Sequence, residues 1–142
     1  MIAIGKNIDG VEKEFKISNN SIYCPYNLLT ELFLPNGVEY VFCFNNQLTE
    51  LDLPDSVIYV NCANNQLTEL VLPNSVKEVY CDNNNLTELV LPDSVENVFC
   101  YKNPIAEITL PKSIEYAVLP LNCIVTNLDE FKNKDKVDIK FQ

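Results

Sequence analysis

The 142 residues contain no histidine and no arginine. The first absence removes the side chain most used for proton transfer near neutral pH and for holding transition metals. The second removes the forked cation that clamps phosphates. There is no Gly-x-Ser-x-Gly elbow, no phosphate-binding glycine loop and no Cys-x-x-Cys. Nothing in the carboxylate pattern suggests a desolvated pair poised for catalysis. An enzyme is therefore not expected, and no cofactor or metal is implied. No apolar run is long enough to span a bilayer. The opening MIAIGKNIDGVEKEF lacks the continuous apolar segment and small-residue cleavage site of a secretory leader. Ten lysines against twenty Asp and Glu leave a net charge of −10. Such a field repels duplex nucleic acid and anionic lipid, and it favours a neutral or basic partner.

What the chain has in quantity is self-similarity. Residues 38–56, VEYVFCFNNQLTELDLPDS, return nineteen residues later as VIYVNCANNQLTELVLPNS. They return again as VKEVYCDNNNLTELVLPDS and VENVFCYKNPIAEITLPKS, with a weaker copy before and a truncated one from Ile114. A short fixed period means that no unit can bury its apolar face alone, so the units stack. We expect a mainly β solenoid of about six 19-residue coils over residues 19–125. An N-terminal β-hairpin cap is expected over 1–18, because Ile-Asp-Gly separates two alternating stretches. A short C-terminal cap is expected over 126–142: a helical turn around Leu128–Phe131, a Lys-rich loop, and a strand at Val137–Phe141.

Within a coil, Tyr40–Phe44 alternates and should build a parallel sheet on the concave side. Its inward slots read Ile22, Val41, Val60, Val79, Val98 and Ala117, followed by a cysteine ladder at Cys24, Cys43, Cys62, Cys81 and Cys100. Neighbouring parallel strands lie about 4.8 Å apart, wider than the roughly 3.8 Å between Cβ atoms that a disulfide needs. Buried, reduced thiols are expected instead, which suits a reducing cytoplasm. Cys123 falls off this ladder, in a turn slot, and is the single candidate for a reactive thiol. The plainer reading makes it an incidental residue of a decaying last repeat. Asn27, Asn46, Asn65, Asn84, Asn103 and Asn122 form a column in which each amide could satisfy backbone groups of neighbouring coils. Leu48–Pro54 alternates as well, pointing Leu51 and Leu53 inward, and nineteen residues leave no room for a helix on this convex wall. Glu31, Glu50, Glu69, Glu88 and Glu107 line it as a solvated acidic column.

The outward slots of the sheet carry the functional signal. They hold Tyr23, Tyr26, Tyr40, Phe42, Phe44, Tyr59, Asn61, Tyr80, Phe99, Tyr101 and Tyr116, which accounts for all seven tyrosines. Aromatic residues suit strands in general. The convex outward slot offers a control: it reads Phe33, Asp52, Val71, Val90 and Thr109, with no tyrosine. Strand propensity alone would have made both walls aromatic. A one-sided aromatic face is the composition of an interaction site. We therefore expect a protein-recognition module, monomeric or weakly dimeric. A glycan-binding module and a self-associating structural protein are the alternatives.

The pattern L-x-x-L-x-L-x-x-N-x-L, carried in the first full copy by Val38, Val41, Cys43, Asn46 and Leu48, is that of leucine-rich repeats. NNQLTELDLPDSV resembles the repeats of secreted bacterial effectors of the Yop-M and Ipa-H type, without any counterpart of a ubiquitin-ligase domain. One proline of the effector unit is replaced here by Asp52, Val71 or Val90, and the repeat is a residue shorter. A looser likeness is to FNIP-type repeats. The resemblance implies a repeat fold and partner binding.

Overall fold

The computed structural model describes residues 1–131 and 137–142. In chain order its strands are β1 (Ile2–Asn7), β2 (Glu12–Lys16), β3 (Ser21–Tyr23), β4 (Leu29–Phe33), β5 (Tyr40–Phe42) and β6 (Tyr59–Asn61). They continue as β7 (Glu78–Tyr80), β8 (Asn97–Phe99), β9 (Glu107–Ile108), β10 (Tyr116–Leu119), β11 (Ile124–Val125) and β12 (Asp138–Phe141). A single 3-10 turn spans Leu128–Phe131. The Lys-rich loop expected between that turn and β12 lies outside the described residues.

The chain is a parallel β-solenoid of about six 19-residue turns, as its period requires. A seven-stranded sheet runs β12-β10-β8-β7-β6-β5-β3, all parallel. Its register pairs residues nineteen apart, such as Val41 with Val60 and Val79 with Val98. One residue of each strand therefore meets its equivalent in the next coil, and Ile22, Val41, Val60, Val79, Val98 and Ala117 stack fully buried. The cysteine slot lies beside them. Cys24, Cys43, Cys62, Cys81 and Cys100 are buried and unpaired, and Leu119 fills the same slot in the last coil.

Three sets of hydrogen bonds recur along the stack, two of them side-chain columns that tie coil to coil. Asn65 is typical. Its Nδ2 donates to the carbonyls of Cys43 (3.1 Å) and Cys62 (3.0 Å), while its Oδ1 accepts from the Leu48 N–H (3.0 Å). Asn46, Asn84 and Asn103 repeat this pattern. A second column was not anticipated: the hydroxyls of Ser56, Ser75, Ser94 and Ser113 donate to the carbonyls of Val38, Val57, Val76 and Val95 at 2.6–2.8 Å. The third is the turn itself, where Val57, Val76, Val95 and Ile114 N–H groups bond back to Pro54, Pro73, Pro92 and Pro111.

The opposite wall behaves differently. Leu51, Leu70 and Leu89 are buried as the alternation predicts. Yet residues 48–53, 67–72 and 86–91 form no ladder with one another. Pairing occurs only at the two ends, where β4 is covered by β1 antiparallel and β9 pairs β11 parallel. The period-two pattern there reports which leucines are buried, not which strands pair.

The N-terminal hairpin closes as expected. Asn7 Oδ1 accepts from the N–H groups of Asp9 and Val11, and Gly10 supplies the positive φ (+75°) that such a loop needs. Gly5 in β1 also has to be glycine-sized, since a Cβ there would lie 2.8 Å from the buried Leu29 side chain. β2 enters β3 through Asn19 and Asn20, both left-handed, a conformation asparagine tolerates.

The last coil departs from the period, and two expectations fail there. Leu119 still sits nineteen residues from Cys100, but β11 pairs β9 at an offset of seventeen, Ile124 against Glu107. The turn between is two residues shorter. Asn122 is therefore exposed rather than sixth in the asparagine column, and Cys123 is carried inward. Cys123 is accordingly no reactive surface thiol: burial first, then Glu107, raises its pKa. Burial also pushes Cys24, Cys62 and Cys100 up to about 12, and Cys43 and Cys81 well above the usual thiol range. The thiolate is the reacting form. At pH 8, a chromogenic disulfide reagent should modify fewer than one thiol per native molecule within minutes, and all six at once in guanidinium. Rapid modification of the native protein would contradict the buried ladder.

A candidate interaction face on the parallel sheet

Each strand of the sheet alternates, so its other set of side chains faces solvent. The register places Tyr23, Phe42, Asn61, Tyr80 and Phe99 in one row across the coils. Ser21, Tyr40, Tyr59, Glu78, Asn97 and Tyr116 form a second. Neither row is continuously aromatic, but together they make an unbroken ribbon. Where Asn61 interrupts the first row, the Tyr59 ring crosses over, 4.9 Å from Phe42 and 5.4 Å from Tyr80. Tyr80 and Phe99 are stacked at 4.5 Å and 10°. In the last coil Val118 occupies the first row and is buried, so Tyr116 takes over, 5.3 Å from Phe99. At the other end Tyr23 meets Phe42 and Phe44, and Tyr26 meets Phe44 edge-on.

The ribbon has two unlike ends. From Tyr59 onward the rings are half-buried against each other and their hydroxyls are engaged. Tyr59 bonds Asn61, Tyr80 bonds Glu78 and Tyr101 bonds Asp82. Burial is the main cause holding these three phenols above their usual range, so each is protonated at neutral pH. Burial likewise raises Asp82, with the Tyr101 hydroxyl partly offsetting it. Lys140 closes this end: its Nζ lies 4.8 Å from the Tyr116 ring centroid and donates to the Tyr116 hydroxyl at 2.9 Å. At the N-terminal end Tyr23 is 67% exposed, Tyr26 72% and Tyr40 37%. Among the described residues these three hydroxyls have no hydrogen-bond partner.

The sequence placed all eleven candidate residues on this face, and the structure brings ten of them into contact with another member of the set or with a flanking polar group. Tyr40 stands in register with Tyr59 but makes no ring contact. Lys140 was missed because it lies outside the repeat. The opposite wall carries Phe33 as its exposed aromatic, with Val71 and Val90 exposed beside the acidic column. Because that wall has no ladder, open grooves run between its coils. One of them, about 980 Å³, is lined by Glu88, Val90, Glu107 and Thr109. No protein-family model and no curated protein sequence matches the chain.

Proposed function

We propose that the chain is a protein-recognition module that grips its partner with the solvent face of the parallel sheet. The observation that carries this reading is the one-sided distribution of tyrosine. All seven lie on the sheet face, and the three least buried carry free hydroxyls. Tyrosine supplies large contact area at low conformational cost, and rings already stacked lose little further freedom on binding. The likeness of NNQLTELDLPDSV to leucine-rich repeats of bacterial effectors fits this role. Glycan binding is less well supported, because a sugar face needs an open ring face. In Tyr59, Tyr80 and Phe99 those faces are taken by neighbouring rings. The net charge of −10 favours a basic partner.

The test is affinity capture with the wild type and with a variant carrying Tyr23→Ala, Tyr26→Ala and Tyr40→Ala. The variant should lose at least tenfold in capture of the partner. Its Tm should fall by roughly 5–15 °C, because three ring pairs at about 0.5–1.5 kcal/mol each go with it, while its circular-dichroism spectrum at 25 °C stays that of the folded wild type. Equal capture by both would overturn the assignment. A wild-type mass of two chains in sedimentation, lost in the variant, would favour self-association instead.

A further inference from the structure

We infer that the N-terminal end of the aromatic ribbon receives a cationic side chain, arginine or lysine, from a basic protein partner. This rests on the recognition reading above and names the chemistry recognised. The molecule itself supplies the template. At the far end of the same ribbon an ammonium, Lys140 Nζ, bonds the hydroxyl of the terminal ring, 4.8 Å from its centroid, and is paired with Asp138 at 3.1 Å. At the near end the corresponding position is open. Among the described residues no cation lies over Tyr23, Tyr26, Phe42 or Phe44. Lys13, from the cap, is engaged with the Phe15 ring (5.3 Å) and with Asn27 Oδ1. Tyr23 and Tyr26 are the most exposed aromatic residues of the chain, with hydroxyls free to accept from a guanidinium or ammonium.

Tyr26, like Leu28 two residues on, also takes a backbone conformation that a bulky side chain rarely adopts. Its φ is +56°, and the equivalent positions in the next four coils, Asn45, Asn64, Asn83 and Lys102, share this left-handed conformation. Asparagine suits that slot and tyrosine does not. Three successive coils fill the slot with asparagine and the fourth with lysine, so the turn itself does not require the ring.

The experiment is a titration of the protein, labelled with 13C at the tyrosine rings, with a capped tri-arginine peptide. The citrulline peptide of the same length is the control, since citrulline keeps the shape and loses the charge. Tyr23 and Tyr26 ring signals should shift saturably, with the citrulline peptide at least tenfold weaker, and Tyr59 and Tyr80 should not respond. Tyr26→Asn, which installs the residue the other coils use, should weaken binding at least threefold with an unchanged or higher Tm. Shifts spread evenly over all seven tyrosines, equal binding of the citrulline peptide, or unaltered binding by Tyr26→Asn would each overturn the inference. If the peptide fails while the triple-alanine variant still loses its protein partner, this inference falls and the recognition reading stands.

Discussion

Asn65→Ala should lower the midpoint of thermal unfolding by roughly 10–20 °C, at a few degrees per kcal/mol for a chain of this size. Asn122→Ala, at the same place in the repeat, should move it by no more than about 2 °C. The contrast follows from their partners. Removing the Asn65 amide orphans the buried N–H of Leu48 and takes one of two donors from each of the Cys43 and Cys62 carbonyls, which keep Asn46 and Asn84. The orphaned N–H costs about 1–3 kcal/mol and each of the two lost bonds about 0.5–1.5 kcal/mol, so the loss is on the order of 2–6 kcal/mol. That is a large share of the roughly 5–15 kcal/mol a domain has. Asn122 is exposed and bonds none of these groups. Asn65→Asp should be at least as damaging at neutral pH, because a carboxylate cannot donate to the two carbonyls. Part of the loss should return as pH falls and the introduced acid takes up a proton. Thermal melts by circular dichroism decide it, and equal melting of the two alanine variants would contradict the asparagine column.

The second large effect separates rings that hold the sheet from rings that face a partner. Tyr80→Ala should cost on the order of 2–4 kcal/mol, since it removes two ring pairs at about 0.5–1.5 kcal/mol each together with the burial of a half-covered side chain. The ring lies between Tyr59 and Phe99, and its hydroxyl bonds Glu78. Tyr40→Ala, with no ring partner and a free hydroxyl, should cost less than about 1 kcal/mol. Chemical denaturation of the two variants measures the difference directly. Similar losses at both positions would mean that the whole ribbon is structural.

The coil architecture was legible because a parallel register makes every nineteenth residue a spatial neighbour. One assignment, Val41 inward, then fixes Cys43 inward and Phe42 outward, and propagates through five further coils. The same reasoning fails wherever the offset changes. Asn122 and Cys123 sit where seventeen replaces nineteen, and no residue type announces the lost pair. The serine column was visible as Ser56, Ser75, Ser94 and Ser113 at constant spacing, yet Pro-Asp-Ser reads as a turn before it reads as a hydroxyl bonding the previous coil. Of the candidate face, the sequence shows which side chains point out. It does not show that Tyr59 bridges the gap at Asn61 or that Lys140 closes the ribbon, because both depend on side chains leaning between coils.

The bonds by which the asparagine and serine columns join one coil to another all run in one direction. Asn65 satisfies the Cys43 carbonyl and the Leu48 N–H of the coil before it, and Ser56 Oγ reaches back to Val38. A chain leaving the ribosome therefore carries each newly made turn with open acceptors until the following nineteen residues emerge to meet them. The final turn, whose successor never comes, is finished instead by a strand from outside the period, β12, laid along β10.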